Sequence, residues 1–244
     1  MNPRSRPRLD QLLVDRGLAD SRTKAQALIL AGQVLVNGQR ADKPGHAVGE
    51  EARVEVLARE RYVGRGGLKL EAALAAFAID LGDRICADIG ASTGGFTDCM
   101  LQHGAARVYA VDVGSGQLDW KLRGDPRVVV REGLNARYLR FEDVGEPLDL
   151  ATFDLSFISV TLVIPAVLPL LKATGEMVIL VKPQFEVGRG QVGKGGIVRD
   201  PALHTQACER VARQVEELGF RTGLIESPIL GAEGNKEFLL HARH

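Results

Sequence analysis

The chain has 244 residues, of which 45% are hydrophobic and 25% charged, a composition typical of a globular protein with one large domain and a small one. The longest nearly uncharged stretch, residues 155–171, is short and contains several Ser, Thr and Pro residues, so it predicts buried structure rather than a membrane span. The N-terminus lacks the pattern of a signal peptide, and we expect a cytoplasmic protein. Three widely spaced cysteines indicate buried thiols, and we expect no bound metal.

Charge is balanced over the whole chain but not along it. The 31 basic and 31 acidic residues cancel, which argues against a protein that binds nucleic acid over its entire surface. Residues 1–70, however, contain 13 Lys and Arg against 8 Asp and Glu. A basic end on a neutral protein favours a localised contact with a polyanion, although a solvated helix surface has the same signature.

The first predicted elements are two short helices followed by strands. Residues 9–13 place three leucines on one stripe of a helix, and Asp20 or Ser21 caps a second helix. Residues 34–38 predict a strand that enters an Asn-Gly turn, and residues 53–57 alternate like an edge strand. This order of elements indicates a compact α+β unit.

The segment RLDQLLVDRGLADSRTKAQALILAGQVLVNGQRADKPGHAV resembles the small RNA-binding domain named after ribosomal small-subunit protein four. The pieces R-L-D, S-R-x-K-A and V-x-V-N-G carry the resemblance. It implies an RNA-binding domain over residues 1–60 whose basic helical face meets RNA phosphates. By that resemblance the candidate RNA contacts in this domain are Arg8, Arg22, Lys24, Asn37 and Arg40.

Residues 58–68 are charged and rich in glycine, so we place a linker there and the domain boundary near residue 60. Arg65 in this linker is a further candidate RNA contact. The next helix begins around Lys69, where a positive charge is unfavourable for the helix dipole. That local conflict indicates that Lys69 is kept for another reason.

Strand and helix patterns alternate over residues 84–244. They predict an α/β domain with a parallel sheet covered on both faces, whose ligand lies at the carboxyl ends of the strands. Helices are predicted over residues 94–102 and 201–218, and a helix rich in Leu, Val and Pro is predicted directly after the strand of residues 150–157. The predicted strands are residues 85–89, 108–112, 128–130, 150–157, 177–181, 223–225 and 237–241.

A glycine-rich loop, DIGASTGGF, follows the first strand of this domain. Its glycines let the backbone approach a ligand, and the next helix begins with free N–H groups, although plain turn glycines fit as well. The spacing differs from that of a dinucleotide loop, which favours S-adenosylmethionine as the ligand. Asp112, at the end of the next strand, is placed to bind a ribose or to cap the segment after that strand. The candidate cofactor contacts are Asp88, Gly90, Ser92, Thr93, Gly94, Gly95, Phe96 and Asp112.

Four charged residues can converge at one edge of the sheet. Asp154 and Lys182 end the fourth and fifth predicted strands, Glu237 lies on the last strand, and Lys69 lies in the first helix. Transfer of a methyl group from a sulfonium to a ribose hydroxyl requires an aligned hydroxyl and a base. A lysine can act as that base.

The motifs YVGRGGLKLEAAL, ADIGASTGGFTDCML, FDLSFIS, LVKPQFEVG and GNKEFLL resemble the FtsJ-like ribose 2′-O-methyltransferases and, over nearly the whole chain, the TlyA family of bacterial ribosomal-RNA cytidine 2′-O-methyltransferases. The resemblance implies a class I S-adenosylmethionine-dependent methyltransferase, with a Rossmann-like seven-stranded sheet over residues 61–244 and an antiparallel last strand. It implies that Lys182 is the base, or a centre whose proton affinity is tuned, and that Lys69 stabilises the developing alkoxide. Asp154 and Glu237 would orient the two lysines.

Residues 184–199 follow Lys182 directly and are rich in glycine. We predict a mobile loop over the site, in which Arg189 and Lys194 contact RNA phosphates. A surface loop without such a role fits the same composition.

Other functions fit single features of the sequence. A pseudouridine synthase often carries the same N-terminal module, but the glycine-rich loop argues against that enzyme. The remaining alternatives are a non-catalytic RNA-binding factor and a haemolysin-like membrane-active protein; the four charged residues argue against the first, and the lack of a spanning segment against the second. The predicted partner is ribosomal RNA or a ribosomal subunit, with 23S RNA favoured and 16S RNA open.

Overall fold

The computed structural model describes residues 6–49, 51–57 and 61–244, apart from the side chains of Arg189 and Ala232. The chain divides into two compact units, Met1–Glu60 and Arg61–His244. Each unit has an apolar core of its own.

The first unit combines two helices with a three-stranded antiparallel sheet of order β2-β1-β3. Its elements are α1 (Leu9–Asp15), α2 (Arg22–Leu30), β1 (Val34–Val36), β2 (Gln39–Arg40) and β3 (Val54–Val56). Leu9, Leu13 and Ile29 are fully buried in its core. The hydroxyl of Ser21 accepts a hydrogen bond from the N–H group of Lys24 (3.3 Å). Of the two predicted candidates, Ser21 is therefore the residue that caps α2.

The second unit contains a seven-stranded sheet, which confirms the predicted α/β class. Its strands are β4 (Ile85–Ile89), β5 (Arg107–Asp112), β6 (Val128–Glu132), β7 (Leu148–Phe153), β8 (Leu171–Val181), β9 (Arg221–Glu226) and β10 (Phe238–Arg243). The strand order is β6-β5-β4-β7-β8-β10-β9. The last strand, β10, is antiparallel to both neighbours, and the other pairs are parallel.

Helices cover both faces of this sheet. They are α3 (Gly66–Phe77), α4 (Gly95–Gln102), α5 (Trp120–Arg123), α6 (Phe141–Val144), α7 (Ile164–Val167), α8 (Pro183–Glu186) and α9 (Pro201–Glu217). Neighbouring residues of β7 enter different apolar clusters: Leu150 joins Leu70 of α3, and Ala151 joins Val211 of α9. A strand buried on both faces is what a parallel sheet between two helix layers requires.

The order of the strands reverses between β4 and β7. The chain builds outwards from β4 through β5 to β6, and β7 then returns to the other side of β4, which opens a crevice at the carboxyl ends. Ile89 of β4 pairs with Phe153 of β7 at this edge. The next residues, Gly90 and Asp154, therefore lie side by side.

Several predictions for the segments around the carboxyl edge of the sheet are wrong. Strand β7 ends at Phe153 rather than at Phe157, because the chain turns out of the sheet there and Phe157 has a positive φ of 67°. The single helix predicted after it is a series of short helical turns, since Pro165 and Pro169 lack the N–H groups that a continuous helix needs. Glu237 lies just before β10 rather than on it.

Candidate active site

The four predicted catalytic side chains line one cleft of about 520 Å³ at the carboxyl edge of the sheet. Lys69 comes from α3, Asp154 and Lys182 directly follow β7 and β8, and Glu237 directly precedes β10. The structure thus brings together all four predicted catalytic residues, of which Lys69 and Glu237 are 168 positions apart.

The four residues form two ion pairs. The Lys69 ammonium contacts the Glu237 carboxylate, and the two side chains are 10% and 3% exposed. The Lys182 Nζ atom lies 2.6 Å from Asp154 Oδ1, and here the acid is 23% exposed. The first pair is therefore enclosed, whereas the second is open on one side towards solvent.

The register of the sheet explains why Lys182 and Glu237 share one end of it. In the antiparallel pair of β8 and β10, Val181 lies opposite Phe238, so the residue after one and the residue before the other are neighbours. Gly231 leaves room for the acid, because a Cβ atom there would stand 2.1 Å from Glu237 Oε1. A larger residue at position 231 would displace this carboxylate.

The glycine-rich loop borders a second cavity of about 100 Å³, which adjoins the cleft because Gly66, Gly90, Ser92 and Asp154 line both. Gly90 has a φ of +93°, and a Cβ atom there would stand 2.6 Å from the Asp154 carbonyl oxygen. Glycine is therefore required at this close approach. The predicted cofactor residues that line this cavity are Asp88, Gly90, Ser92, Thr93, Gly95 and Phe96.

Gly94 and Asp112, the other two predicted cofactor residues, support the loop from outside the cavity. Gly94 precedes α4, and a Cβ atom there would collide with a methyl group of Leu122. The Asp112 carboxylate accepts hydrogen bonds from the backbone N–H groups of Ser92 (2.8 Å) and Gly114 (2.7 Å). Asp112 thereby joins the loop after β4 to the turn after β5, and its oxygens keep further lone pairs for a ligand.

Asp88 is fully buried beneath the loop. Its Oδ2 atom accepts hydrogen bonds from the Thr97 N–H group (2.9 Å) and the Thr97 hydroxyl (2.7 Å), which ties β4 to α4. Burial raises the pKa of the Asp88 carboxyl to about 7, and the charges of Asp154 and Asp112 act in the same direction. Asp88 is therefore protonated in part at neutral pH.

An aromatic pair that sequence patterns did not reveal lies at the cleft. Phe157 is 92% exposed in a left-handed backbone conformation, and its ring centroid lies 5.5 Å from that of Phe185. Such a conformation strains a bulky residue and is retained where the surrounding structure enforces it. The signal was an aromatic residue between two serines in FDLSFIS, but a buried strand explained it equally well.

The segment after Asp154 and the helix after Lys182 are tied together by Glu186, a residue that sequence reasoning also missed. Its buried carboxylate accepts hydrogen bonds from the Ser159 hydroxyl (2.5 Å) and the Val160 N–H group (2.8 Å). Burial raises the pKa of Glu186. This contact holds the two segments that carry the Lys182–Asp154 pair.

Two of the candidate RNA contacts in the first unit converge on one acid. Asp10 is fully buried, and its carboxylate accepts hydrogen bonds from Arg8 (3.0 and 3.1 Å) and Arg22 (3.0 Å). The two arginine side chains remain about half exposed. They are therefore held in place and still reach solvent.

The other candidates in the first unit differ in what they contact. Lys24 forms an exposed ion pair with Asp20 (2.6 Å). The Asn37 side chain accepts a hydrogen bond from the Arg53 N–H group (2.9 Å), which stabilises the turn after β1. Arg40 is exposed on β2.

In the second unit, Arg65 is exposed and lines the cleft, and Lys194 is exposed on the loop after α8. The side chain of Arg189 lies outside the described residues. The loop after α8 contains short 3₁₀ turns. Its end is fixed by Asn235, which accepts from the Val198 N–H group (3.1 Å) and donates to the Gly196 carbonyl (3.0 Å).

A solved structure from Listeria monocytogenes, described as an S-adenosylmethionine-dependent methyltransferase, shares this α/β fold, with a TM-score of 0.54 at 17% identity over 74% of this chain and 99% of that one. The profile of the FtsJ-like methyltransferases matches residues 62–244, and the S4 domain profile matches residues 7–54. The class of protein is thus an FtsJ-like methyltransferase with an S4 domain.

Two relatives match almost the whole chain. The 16S/23S rRNA (cytidine-2′-O)-methyltransferase TlyA of Mycobacterium tuberculosis is 50% identical over 98% of this chain and 90% of its own length. A solved structure from Streptococcus thermophilus, named a hemolysin, has a TM-score of 0.75 and 46% identity, over 99% of this chain and 89% of that one. This chain belongs to the TlyA family of FtsJ-like methyltransferases, which confirms the predicted family.

The name of the Streptococcus thermophilus protein corresponds to the membrane-active alternative. Over residues 6–49, 51–57 and 61–244, no helix combines the length and the apolar character that a bilayer crossing requires. The family matches favour the methyltransferase over both the membrane-active protein and the non-catalytic RNA-binding factor.

Proposed function

We propose that this protein transfers the methyl group of S-adenosylmethionine to the ribose 2′-hydroxyl of a cytidine in ribosomal RNA, in the cytoplasm. The observation that carries the proposal is the Lys182–Asp154 pair, placed where the cleft adjoins the glycine-lined cavity. The Mycobacterium tuberculosis relative is named for that reaction. We propose 23S RNA as the principal substrate, within a ribosomal subunit, and 16S RNA as a second one to be tested.

The glycine-lined cavity fits S-adenosylmethionine. Cβ atoms at Gly90 or Gly95 would collide with the neighbouring backbone, so glycine at these positions keeps the loop in the conformation that borders the cavity. Cavity and cleft together have the size of ordinary small-molecule sites, roughly 300–1,000 Å³. Ser92, Thr93 and Asp112 would hold the polar parts of the ligand. When bound, S-adenosylmethionine supplies a methyl carbon that is already activated on a sulfonium sulfur.

Lys182, in its neutral form, takes the proton of the target hydroxyl. A ribose hydroxyl is a weak nucleophile at neutral pH, so its oxygen must lose the proton as it accepts the methyl group. Asp154, 2.6 Å from the amine, holds Lys182 in place and stabilises the ammonium that forms. A well-placed base of this kind contributes about 10²–10⁴-fold to the rate.

Lys69 stabilises the negative charge that develops on the ribose oxygen. It is 8% exposed, so little water screens its field within the cleft. Glu237 fixes the orientation of Lys69 through their ion pair. The two lysines thus have different tasks, one as proton acceptor and the other as a fixed positive charge.

The RNA substrate is held by stacking and by charge. Phe157 and Phe185 offer aromatic faces beside the catalytic pair, where an unstacked base of the target nucleotide can lie. Phosphate contacts position RNA without reading its sequence, and basic side chains supply them. The proposed phosphate contacts are Arg8, Arg22, Lys24, Arg40, Arg65, Arg189 and Lys194, with Asn37 as a further RNA contact.

The test is a methylation assay with ribosomal subunits that lack the modification. Purified protein is incubated with labelled S-adenosylmethionine and either subunit, and the label is mapped to a nucleotide and to its ribose. We expect label on a cytidine 2′-oxygen. Lys182→Ala should lower the rate about 10²–10⁴-fold because the base is lost, while RNA binding is retained.

The matched control is Lys172→Ala, which removes a surface lysine paired with Asp149 on β7. It should keep full activity. Full activity of Lys182→Ala would overturn the catalytic assignment. An absence of label in every RNA would count against the function itself.

A further inference from the structure

Lys182 has a second polar partner besides Asp154. Its Nζ atom donates a hydrogen bond to the hydroxyl of Ser156 (3.0 Å), on the segment that leaves β7. Ser156 is exposed and lines the cleft, whereas Lys182 is 9% exposed. Within the described part of the chain, Ser156 is the side chain that accepts a hydrogen bond from this amine, and Asp154 is its ion-pair partner.

The positions of these two oxygens determine which direction around the Lys182 nitrogen is left for its lone pair. An amine nitrogen has four tetrahedral directions, and the bond to Cε takes one of them. Ser156 Oγ accepts a hydrogen bond along a second, and the Asp154 carboxylate, whose Oδ1 atom lies 2.6 Å from Nζ, attracts another N–H bond. In the neutral amine the two N–H bonds are drawn to these two oxygens, so the lone pair takes the remaining direction and is available to a hydroxyl in the cleft.

We propose that Ser156 is a positioning residue that fixes the rotation of the Lys182 amine, so that the lone pair faces the target 2′-hydroxyl. The proposal rests on the proposed function. With the Asp154 carboxylate alone beside the amine, rotation about the Cε–Nζ bond can exchange an N–H bond with the lone pair. Ser156 accepts a hydrogen bond in only one of these two states, and it therefore selects that state.

Ser156 also supports the product of the proton transfer. In that step the ribose O–H bond breaks, its electron pair stays on the oxygen, and the proton forms the third N–H bond of Lys182. A hydrogen bond from a charged donor is stronger than one from a neutral donor, so the contact with Ser156 strengthens as the ammonium forms. The other charged side chains that line this cleft are Arg65, Lys69, Glu233 and Glu237.

The test compares Ser156→Ala, which removes the acceptor, with Ser156→Thr, which keeps a hydroxyl at the same position. Methyl transfer is measured in a single turnover with saturating RNA and S-adenosylmethionine, at several pH values. We expect Ser156→Ala to slow transfer roughly tenfold and to change the pH–rate profile, while KM for RNA stays within about twofold. Ser156→Thr should restore most of the rate.

The matched control is Thr205→Ala, which removes an exposed hydroxyl on α9 that donates a hydrogen bond to the Pro201 carbonyl of its own helix. It should behave as the unmodified protein. Because Ser156 is exposed, its substitution removes no core packing, and circular dichroism should show unchanged folding.

A second measurement does not depend on methyl transfer. The free protein is treated with an acetyl ester of N-hydroxysuccinimide, and acylation of each lysine is followed by mass spectrometry. Acylation also uses the lone pair of the amine and builds positive charge on its nitrogen. In the Ser156→Ala variant, Lys182 should therefore be acylated several-fold more slowly. The rate at Lys172 should not change.

The outcomes separate the two proposals. If Ser156→Ala leaves both the transfer rate and the Lys182 acylation unchanged, the positioning role is overturned. A raised KM for RNA in both Ser156 variants, with unchanged acylation, would make Ser156 an RNA contact instead and would also overturn it. If the unmodified protein methylates no RNA but its Lys182 acylation depends on Ser156, the proposed function fails and the positioning of Lys182 stands.

Discussion

Each unit of the molecule contains a fully buried aspartate, and the two have opposite electrostatic environments. In the first unit, Asp10 accepts hydrogen bonds from Arg8, Gln26 and Arg22, and these contacts, chiefly that with Arg8, hold the pKa of its carboxyl far below the usual range. In the second unit, Asp88 has the neutral donors of Thr97, and burial raises the pKa of its carboxyl to about 7. Burial alone therefore does not decide the charge of a carboxyl; the partner that accompanies it does.

The difference reflects the task of each acid. Asp10 holds two arginines whose side chains still reach solvent, so the first unit keeps positive charge on its surface and the balancing charge inside. Asp88 joins β4 to α4 beneath the glycine-rich loop, where hydrogen bonding rather than charge is needed. Glu237 is a third case, because both it and its cation Lys69 are buried.

The largest effect is expected for Glu237→Ala, which tests the case of a buried acid with a buried cation. The substitution leaves the Lys69 ammonium uncompensated, which should lower the free energy of unfolding by about 3–5 kcal/mol. Urea denaturation measures this change. Glu226→Ala, which breaks an exposed pair with Lys236, is the control and should cost less than about 1 kcal/mol; equal losses would contradict the argument.

Asp88 should affect the free energy of unfolding by a comparable amount, and this effect should depend on pH. The pKa of the Asp88 carboxyl is higher in the folded than in the unfolded state. Its contribution to the free energy of unfolding is therefore complete below the unfolded pKa near 4 and is lost as pH rises through about 7. The total loss is about 4 kcal/mol at most. Asp88→Asn should remove this slope and unfold at higher urea than the unmodified protein at pH 8.

Urea denaturation between pH 4.5 and 8 measures the slope at Asp88. The control is Asp80→Asn on the surface, which should leave the slope as it is. If Asp88→Asn and the unmodified protein show the same pH dependence, the assignment of the raised pKa to Asp88 is wrong.

The smallest effect is expected for Asp10→Asn, and its pH dependence has the opposite sign. The pKa is lowered in the folded state, so the stabilisation is present above the unfolded value near 4 and is lost as pH falls below it. The substitution should cost about 1–3 kcal/mol at pH 7, since Arg8 and Arg22 can turn to water when the charge is lost.

Hydrogen exchange of the α1 and α2 amides reports the change at Asp10, because it monitors the first unit separately from the second. Faster exchange should be confined to that unit. Unchanged protection of α1 and α2 at pH 7 would show that the Asp10 cluster does not stabilise the unit.

Local sequence was sufficient to predict the elements that have a strong hydrophobic period or a clear capping or turn residue. The apolar stripe of residues 9–13, the Ser21 cap and the loop with Gly90 each depend on neighbours in the chain, and each appears in the structure. The boundaries that failed lie where local pattern is ambiguous. The first half of β8 includes the exposed polar residues Lys172 and Thr174, so the apolar run predicted only its second half.

The class of fold, the glycine-rich loop and the four charged residues can be identified without a structure, because they are properties of composition, period and spacing. The pairing of Lys69 with Glu237, and of Lys182 with Asp154 and Ser156, required the folded chain. Those pairings depend on strand order and register, which arise from packing between distant segments. For the same reason the burial of Asp10 and the exposure of Phe157 could not be read from residues that neighbour them in the chain.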